Sequence, residues 1–209
     1  MGQKVNPKAA RLGILYTWDS RWFVKGKKYK ELLSEDIKIR KALMKKLGPA
    51  GISRVEIERS INKIDITLHV SRPGVVIGRG GVGLEEVKKF IEGIVSRALS
   101  KIKVEIKVEP IKEPNLDAYL VATNIADQLA KRFPHRRVVR ATIERVMTAG
   151  ARGIKIVLSG RIAGADISRR ETYKAGTIPL STLRENIDFV AVPSLTRSGY
   201  IGVKVWICK

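Results

Sequence analysis

The sequence predicts an α+β protein of two domains, and the order of its hydrophobic patterns carries that prediction. In residues 31–109 the hydrophobic pattern predicts, in order, a helix, two strands, a glycine loop, a helix and a strand. This order predicts helices packed on a three-stranded sheet. Residues 115–209 read two helices and then four strands, which predicts a second sheet with both helices on one face. A basic N-terminal arm, 1–30, precedes these domains, and a proline-bounded linker, 110–114, separates them.

Each element of the first domain shows one apolar side. The first helix is predicted to begin at Ser34–Glu35–Asp36, where a cap residue precedes acids, and to end at Gly48–Pro49. Two strands alternate apolar and charged residues and meet in a hairpin around residues 60–62. The helix after the glycine loop has the clearest periodicity, through Leu84, Val87, Ile91, Ile94, Val95 and Ala98. The last strand alternates through Ile102, Val104, Ile106 and Val108.

The second domain begins with two helical patterns. Asn115 is the predicted cap of the first helix, Pro134 separates the two, and Gly150 ends the second. The four strands that follow are predicted at Ile154–Leu158, Asp166–Tyr173, Ile187–Val192 and Tyr200–Cys208.

Net charge is the most informative figure of the composition. The 209 residues hold 41 Lys and Arg against 20 Asp and Glu, a net charge of +21, while 44% of the residues are hydrophobic. The apolar content supports folded cores, and the charge indicates a polyanionic partner, because phosphate contacts neutralise cations and release counterions. An anionic membrane surface fits less well, since the sequence has no basic amphipathic anchor helix and no lipidation signal.

The sequence shows no signal for membrane insertion or export. No run approaches the roughly 18 apolar residues of a membrane span, and the N-terminus lacks the apolar core of a signal peptide. Cys208, the single cysteine, excludes an intramolecular disulfide and a cysteine-rich zinc site, and we expect it to be a small packed side chain. We therefore expect an intracellular, cytoplasmic protein, with a plastid source left open.

A glycine-rich loop joins an apolar run to the amphipathic helix, and two templates match it. Gly78 and Gly81 satisfy G-x-x-G, the loop by which K-homology (KH) modules clamp a nucleic-acid backbone. Gly78, Gly80 and Gly83 satisfy G-x-G-x-x-G, the dinucleotide fingerprint, which also needs a preceding parallel strand and an acid about 20 residues further on. No pattern before the loop predicts such a strand, and the acid at that distance, Glu105, alternates with lysines. We prefer the KH interpretation and keep dinucleotide binding as the alternative; the predicted RNA-binding loop is Gly78, Arg79, Gly80 and Gly81.

The second domain carries a run of positive charge. Residues 131–170 contain eleven Lys and Arg but only two acids. Arg136 and Arg140 share a helix face at i,i+4, and Arg137 lies beside them. A charged helix face is often only solvated, but these charges are almost all of one sign, so we predict that the arginines project into solvent and contact RNA.

Aromatic side chains lie among the cations of the N-terminal arm. Trp18, Trp22 and Phe23 could stack on bases. For Trp22 and Phe23 we favour the alternative, that they pack the arm onto a domain.

The residues form no catalytic constellation. His69 lies in a strand pattern and His135 at a basic helix junction, and neither accompanies a nucleophile motif. The phosphate-binding pattern G-x-x-x-x-G-K-[ST] does not occur, and no cluster has the spacing of metal ligands. We predict a protein that is not an enzyme and uses no cofactor or metal.

Four separated groups of residues form a recognisable series along the chain. They are 2–7 (GQKVNP) with 11–13 (RLG), 72–74 (RPG) with 77–81 (IGRGG), 150–155 (GARGIK) with 159–161 (SGR), and 199–207 (GYIGVKVWI). In this order they resemble the bacterial-type S-three family of small-subunit ribosomal proteins, and the resemblance covers essentially the whole chain. It implies a type II KH domain, in which a helix and a hairpin precede the G-x-x-G loop, followed by an α+β domain.

The resemblance implies a structural protein of the small-subunit head, bound to ribosomal RNA beside the tenth and fourteenth proteins of that subunit. It also implies a place at the pore through which messenger RNA enters, where Arg136, Arg137 and Arg140 stand at the positions that support unwinding of structured message. The residues expected to bind ribosomal RNA are Gly2, Gln3, Lys4, Lys8, Arg11, Arg72, Arg152, Lys155 and Arg161. The loop departs from the family, which often has two basic residues where this chain has Arg79–Gly80. A free KH-domain RNA-binding regulator is the alternative function, and a dinucleotide-binding enzyme is the third.

Overall fold

The chain divides into two compact units. The computed structural model describes residues 4–60, 62–95 and 103–209. The first unit is Trp18–Lys112, and the second joins the described part of the first 17 residues to Glu113–Lys209. The arm predicted over 1–30 therefore contributes to both units.

Six helices and eight strands make up the described parts of the chain. In order they are α1 (Pro7–Ala10), β1 (Ser20–Arg21), α2 (Lys28–Lys46), β2 (Ile52–Arg59), β3 (Lys63–Val70), α3 (Pro73–Ile77), α4 (Val82–Ile94), β4 (Lys103–Pro110), α5 (Ala118–Ala130), α6 (His135–Thr148), β5 (Gly153–Gly160), β6 (Arg169–Gly176), β7 (Ile187–Thr196) and β8 (Gly199–Cys208). Ala98 and Ile102, predicted in a helix and a strand, lie outside the described residues.

The first unit is a sheet with helices on one face. Its strand order is β1-β2-β3-β4, with β2 and β3 antiparallel and β3 and β4 parallel. Apolar residues of β2, β3 and β4 pack with α2 and α4, as their alternation predicts. The short β1 adds a fourth strand to the three predicted, pairing in parallel with β2. The strand before the glycine loop, β3, pairs in parallel with β4 across the intervening helices, but the sheet is mixed and is not the doubly wound sheet that dinucleotide binding requires.

Helix α2 begins six residues before its predicted start, at Lys28 rather than Ser34. Glu35 and Asp36 are consequently mid-helix and buried, and both pair with Arg59 of β2. Arg59 Nε donates to Asp36 Oδ1 at 2.8 Å, and Arg59 Nη1 lies 3.1 Å from Glu35 Oε2. The sequence pattern predicts helix-start acids instead, because their partner, Arg59, lies more than twenty positions away in the chain.

The aromatic pair of the arm divides into one packed residue and one exposed residue. Trp22 Nε1 donates to Asp36 Oδ2 at 2.7 Å, and the Trp22 ring lies 5.3 Å from that of Tyr29. Phe23 is 77% exposed, so the packing predicted for both residues holds for Trp22 alone.

The second unit confirms the predicted arrangement of two helices on a four-stranded sheet. The strand order is β6-β5-β8-β7 and every pairing is antiparallel. Helices α5 and α6 bury their apolar sides against alternate residues of β5 and β8. The sixth strand begins at Arg169 rather than Asp166, because a turn occupies the residues before it.

The opposite face of this sheet carries a smaller apolar cluster. Val157, Ile187, Trp206 and Cys208 are buried there, and the rings of Trp206 and Phe189 lie 4.8 Å apart. Cys208 is 1% exposed, which confirms its prediction as a packed side chain. Within the described ranges, none of the helices has the length and apolarity needed to cross a bilayer.

Candidate nucleic-acid interface

The glycine loop connects the C-terminus of α3 to the N-terminus of α4. Gly78, Gly80 and Gly81 have φ values of +70°, +64° and +84°, which side chains rarely tolerate. A Cβ on Gly78 would also lie 3.0 Å from the backbone nitrogen of Gly83. The loop thus exposes backbone together with one cationic side chain, Arg79, and its shape depends on glycine at three of its four positions.

Gly83 has a packing role that the motif alone does not reveal. A Cβ there would lie 2.5 Å from the carbonyl oxygen of Val76, so glycine is what lets α4 approach the end of α3. The dinucleotide interpretation fails on geometry, because α3 separates β3 from the loop instead of a strand leading directly into it. The required acid is also occupied: Glu105 Oε2 lies 2.9 Å from Lys63 Nζ.

Helix α6 presents the predicted arginines to solvent. Its opposite side buries Val138, Val139, Thr142 and Val146, so Arg136, Arg137 and Arg140 are exposed as predicted. Together with Pro134, Ala141 and Glu144 they line an open groove of about 550 Å³. The side chains of Arg137 and Arg140 make no hydrogen bond or ion pair with any residue in 4–60, 62–95 or 103–209, although Glu144 follows Arg140 by one turn.

The start of α6 is tied to β6 through Glu171. The carboxylate accepts a hydrogen bond from the Tyr173 hydroxyl at 2.6 Å and lies 3.1 Å from His135 Nε2. The Tyr173 hydrogen bond, then the charges of His135, Arg169 and Arg136, lower the pKa of Glu171. A carboxylate that stays ionised therefore fixes the end of the helix from which the arginines project.

Arg11 is not available to RNA in this structure, although the sequence placed it in the RNA-binding set. The side chain is fully buried. Its guanidinium donates to the carbonyl oxygens of Glu185 at 2.8 Å, Pro7 at 3.0 Å, Thr182 at 2.9 Å and Leu180 at 3.2 Å. Arg11 therefore ties the N-terminal segment to the loop before β7, and we remove it from the proposed RNA-binding residues.

Lys155 belongs to a second basic cluster, on the sheet face opposite the helices. Burial first, and then the charges of Lys4, Lys174 and Arg170, lower the pKa of Lys155. Its ammonium lies 5.0 Å from the ring centroid of Trp206. Lys174 and Arg170 were not singled out by sequence reasoning, but strand alternation could have found them, because β6 pairs with β5 so that Lys174 lies opposite Lys155.

The remaining predicted residues are scattered. The Lys8 ammonium lies over the Tyr16 ring, and Arg72 is exposed just before α3. Arg152 Nη1 lies 3.1 Å from Glu185 Oε2. Arg161 donates from Nε to the carbonyl of Ala165 at 2.8 Å. Gly2 and Gln3 lie outside the described residues. Among the residues that the structure describes, no three His, Cys, Asp or Glu side chains gather as a metal site would require.

Comparisons with known proteins agree with both units. Residues 38–116 match the family model described as KH domain, and residues 125–207 match the one described as Ribosomal protein S3, C-terminal domain. The chain is 47% identical over its whole length to the Small ribosomal subunit protein uS3 of Desulforamulus reducens, covering 92% of that protein. It is 47% identical to uS3 of Carboxydothermus hydrogenoformans, with 92% covered, and 48% identical to uS3 of Pelotomaculum thermopropionicum, with 88% covered.

These relatives are bacterial ribosomal proteins and not enzymes, which confirms the prediction of a non-enzymatic protein and gives no support to a plastid source. The match of the first unit to the KH family also decides between the two interpretations of the glycine loop. The chain belongs to the ribosomal protein S3 family of the small ribosomal subunit and carries an RNA-binding KH domain in its first half.

Proposed function

We propose that this ribosomal protein sits in the head of the small subunit, binds ribosomal RNA and lines the pore through which messenger RNA enters. The groove on α6 carries the messenger RNA part of the proposal. Arginine guanidinium groups bind phosphate through paired hydrogen bonds. In the described part of the chain, no other residue binds the guanidinium groups of Arg137 and Arg140, so both can bind phosphate.

The second unit carries positive charge on both faces of its sheet. Lys155 and Lys174 lie on the face that bears Trp206, whereas α6 packs on the other face with its arginines outward. This arrangement supports a division of roles. The Lys155 face and the glycine loop bind ribosomal RNA permanently, and α6 remains free for a strand that moves past it.

The mechanism is electrostatic capture. As a hairpin in the message opens at the pore, the α6 arginines hold the phosphates of the separated strand and disfavour re-pairing. The translocating ribosome supplies the work, and this chain hydrolyses nothing. Contacts with the tenth and fourteenth proteins of the subunit belong to the same proposal and rest on the family resemblance.

The test replaces Arg137 and Arg140 by Ala in assembled small subunits and measures translation through a stable hairpin. Two exposed ion pairs contribute on the order of 1 kcal/mol, so we expect about fivefold weaker retention of the open strand and slower passage. Translation of unstructured message should not change. Arg184 and Lys38, exposed residues that belong neither to α6 nor to the proposed RNA-binding faces, provide the matched control: their replacement by Ala removes equal charge and should leave hairpin passage normal.

Sedimentation must show that both variants enter the subunit. If the Arg137/Arg140 variant is incorporated and passes hairpins at the parent rate, α6 has no role in opening the message.

A further inference from the structure

A separate pocket lies in the second unit at the N-terminal end of α6. It has a volume of about 370 Å³ and forms where the α5–α6 connection, the turn after β5 and the β7–β8 turn meet. Arg132, Arg161 and Arg197 line it, one from each of these segments, together with Phe133. Pro134 lines both this pocket and the α6 groove, but neither Arg137 nor Arg140 lines the pocket.

Three arginines from separate segments therefore line one small cavity. The side chains of Arg132 and Arg197 are exposed and form no hydrogen bond or ion pair within the described part of the chain. Arg161 Nε donates a hydrogen bond to the carbonyl oxygen of Ala165, which orients the side chain. Among the described residues, its one acidic partner is the fully exposed Asp166, whose Oδ1 lies 3.4 Å from Arg161 Nη2. Asp166 compensates Arg161 only in part, and the charges of Arg132 and Arg197 that no described side chain pairs with favour a bound anion.

The backbone around the pocket is strained at two points. Arg132, with φ +63°, and Ala163, with φ +57°, are the non-glycine residues with positive φ among those described, and both line this pocket. Side chains in this conformation cost free energy, and such positions concentrate at functional sites.

Arg132 occupies a position where helices normally have glycine. After α5, the Phe133 N–H donates to the Gln128 carbonyl at 3.1 Å and the Arg132 N–H to the Leu129 carbonyl at 2.9 Å. This is the Schellman pattern, whose left-handed residue is usually glycine. A cation here interacts favourably with the C-terminal end of the α5 dipole, but Lys131 already supplies one, and the left-handed φ of Arg132 itself favours glycine.

The pocket also offers an aromatic surface beside its cations. Phe133 is 52% exposed, and Leu129 and Ile201 contribute apolar wall. Among the described residues of its first turn, α6 has no acid and no capping side chain, so its N-terminal dipole contributes positive potential, which Glu171 of β6, 3.1 Å from His135 Nε2, offsets in part. An exposed ring next to phosphate-binding groups matches the requirements of a nucleobase attached to a phosphate.

We propose that this pocket binds one nucleotide, with its phosphate on Arg132, Arg161 and Arg197 and its base against Phe133. The volume lies at the small end of the range for ligand sites, which fits a single nucleotide. The nucleotide is either one unit of an RNA single strand or a free nucleoside monophosphate, and both present the same chemistry.

The test uses the full-length chain and a short, terminally phosphorylated oligouridylate that contains one photoreactive thiouridine. Irradiation should crosslink the base to Phe133, as mapped by mass spectrometry. Arg132→Gly should lower the crosslink yield about tenfold, the loss of one charge-assisted contact, without lowering the melting temperature, because glycine relieves the strained φ. Arg197→Ala should lower the yield similarly, whereas Arg184→Ala, which removes the same charge elsewhere, should not.

Competition with uridine monophosphate separates the two sources. Displacement by the free nucleotide at concentrations similar to the oligonucleotide assigns the pocket to mononucleotides, and displacement only by strands assigns it to RNA. A crosslink that maps elsewhere, or that survives both Arg132→Gly and Arg197→Ala, overturns the proposal. The Arg137/Arg140 variant should retain the crosslink, so failure here and failure of the α6 role are distinguishable.

Discussion

Replacing Arg11 by Met tests whether this residue is structural or binds RNA. Met keeps an apolar side chain of similar reach but removes every donor of the guanidinium. Three of the lost bonds join α1 to the loop before β7, at Leu180, Thr182 and Glu185, and the fourth is local to Pro7. The substitution therefore detaches the N-terminal segment from the rest of its unit.

The magnitude follows from these bonds. Each hydrogen bond to a charged group contributes about 1.5–3 kcal/mol, but the contributions are not additive. The carbonyls of Leu180, Thr182 and Glu185 are only part-buried and can bind water once the guanidinium is absent. We therefore expect the second unit of Arg11→Met to lose about 3–5 kcal/mol of unfolding free energy.

Hydrogen exchange measures this loss with an internal reference. Backbone amides of β7 and β8 should exchange faster, while those of β2 and β3, in the other unit, should keep their parent protection. Arg11→Lys is the decisive companion, because it keeps the charge but loses the planar fork. If Arg11→Met leaves β7 and β8 unchanged while RNA binding falls, the structural assignment is refuted; if lysine restores protection, the charge alone is sufficient and the planar fork is not required.

Two further changes test the first unit and the base of α6. Gly83→Ala should destabilise the KH unit by roughly 1–3 kcal/mol, because the added Cβ meets the Val76 carbonyl. Gly93→Ala is the control: it lies in open space on the same helix and should stabilise the unit by about 0.5–1 kcal/mol. Equal unfolding free energies for the two variants in chemical denaturation would contradict this expectation. Glu171 has a lowered pKa, chiefly through Tyr173, so its contribution to stability is complete above the ordinary carboxyl pKa and is lost as pH falls through the lowered value. Glu171→Gln should flatten the acid side of the plot of melting temperature against pH, and an unchanged slope would show that the pair is not coupled to folding.

Elements with strong periodicity were predictable because their burial is set by nearby residues. The alternation of Ile64, Ile66 and Leu68 placed β3 with one face in the core, and the stripe through Val87 and Ile91 did the same for α4. The glycine loop was also accessible, since positive φ at consecutive positions leaves a direct mark in the sequence.

Charged residues were harder to assign because their role depends on partners distant in the chain. Nothing local distinguishes Arg11, which is fully buried, from Arg137, which is exposed. Asp36 resembled a helix-start acid until its contacts with Arg59 and Trp22 were visible. For the same reason the sequence did not indicate the pocket at Arg132, because its three arginines come from separate turns that only the folded unit brings together.

The net charge of +21 therefore overstates the surface available to RNA. Inside the fold, Arg11 donates hydrogen bonds to backbone carbonyls and Arg59 pairs with carboxylates. Arg152 pairs with Glu185. What distinguishes the candidate interfaces is positive charge that the described chain leaves uncompensated, on α6 and around Arg132. Maintaining such charge costs stability through repulsion and, at Arg132, through backbone strain, and bound phosphate offsets both. RNA should therefore stabilise the second unit, and this stabilisation should weaken as salt screens the arginines.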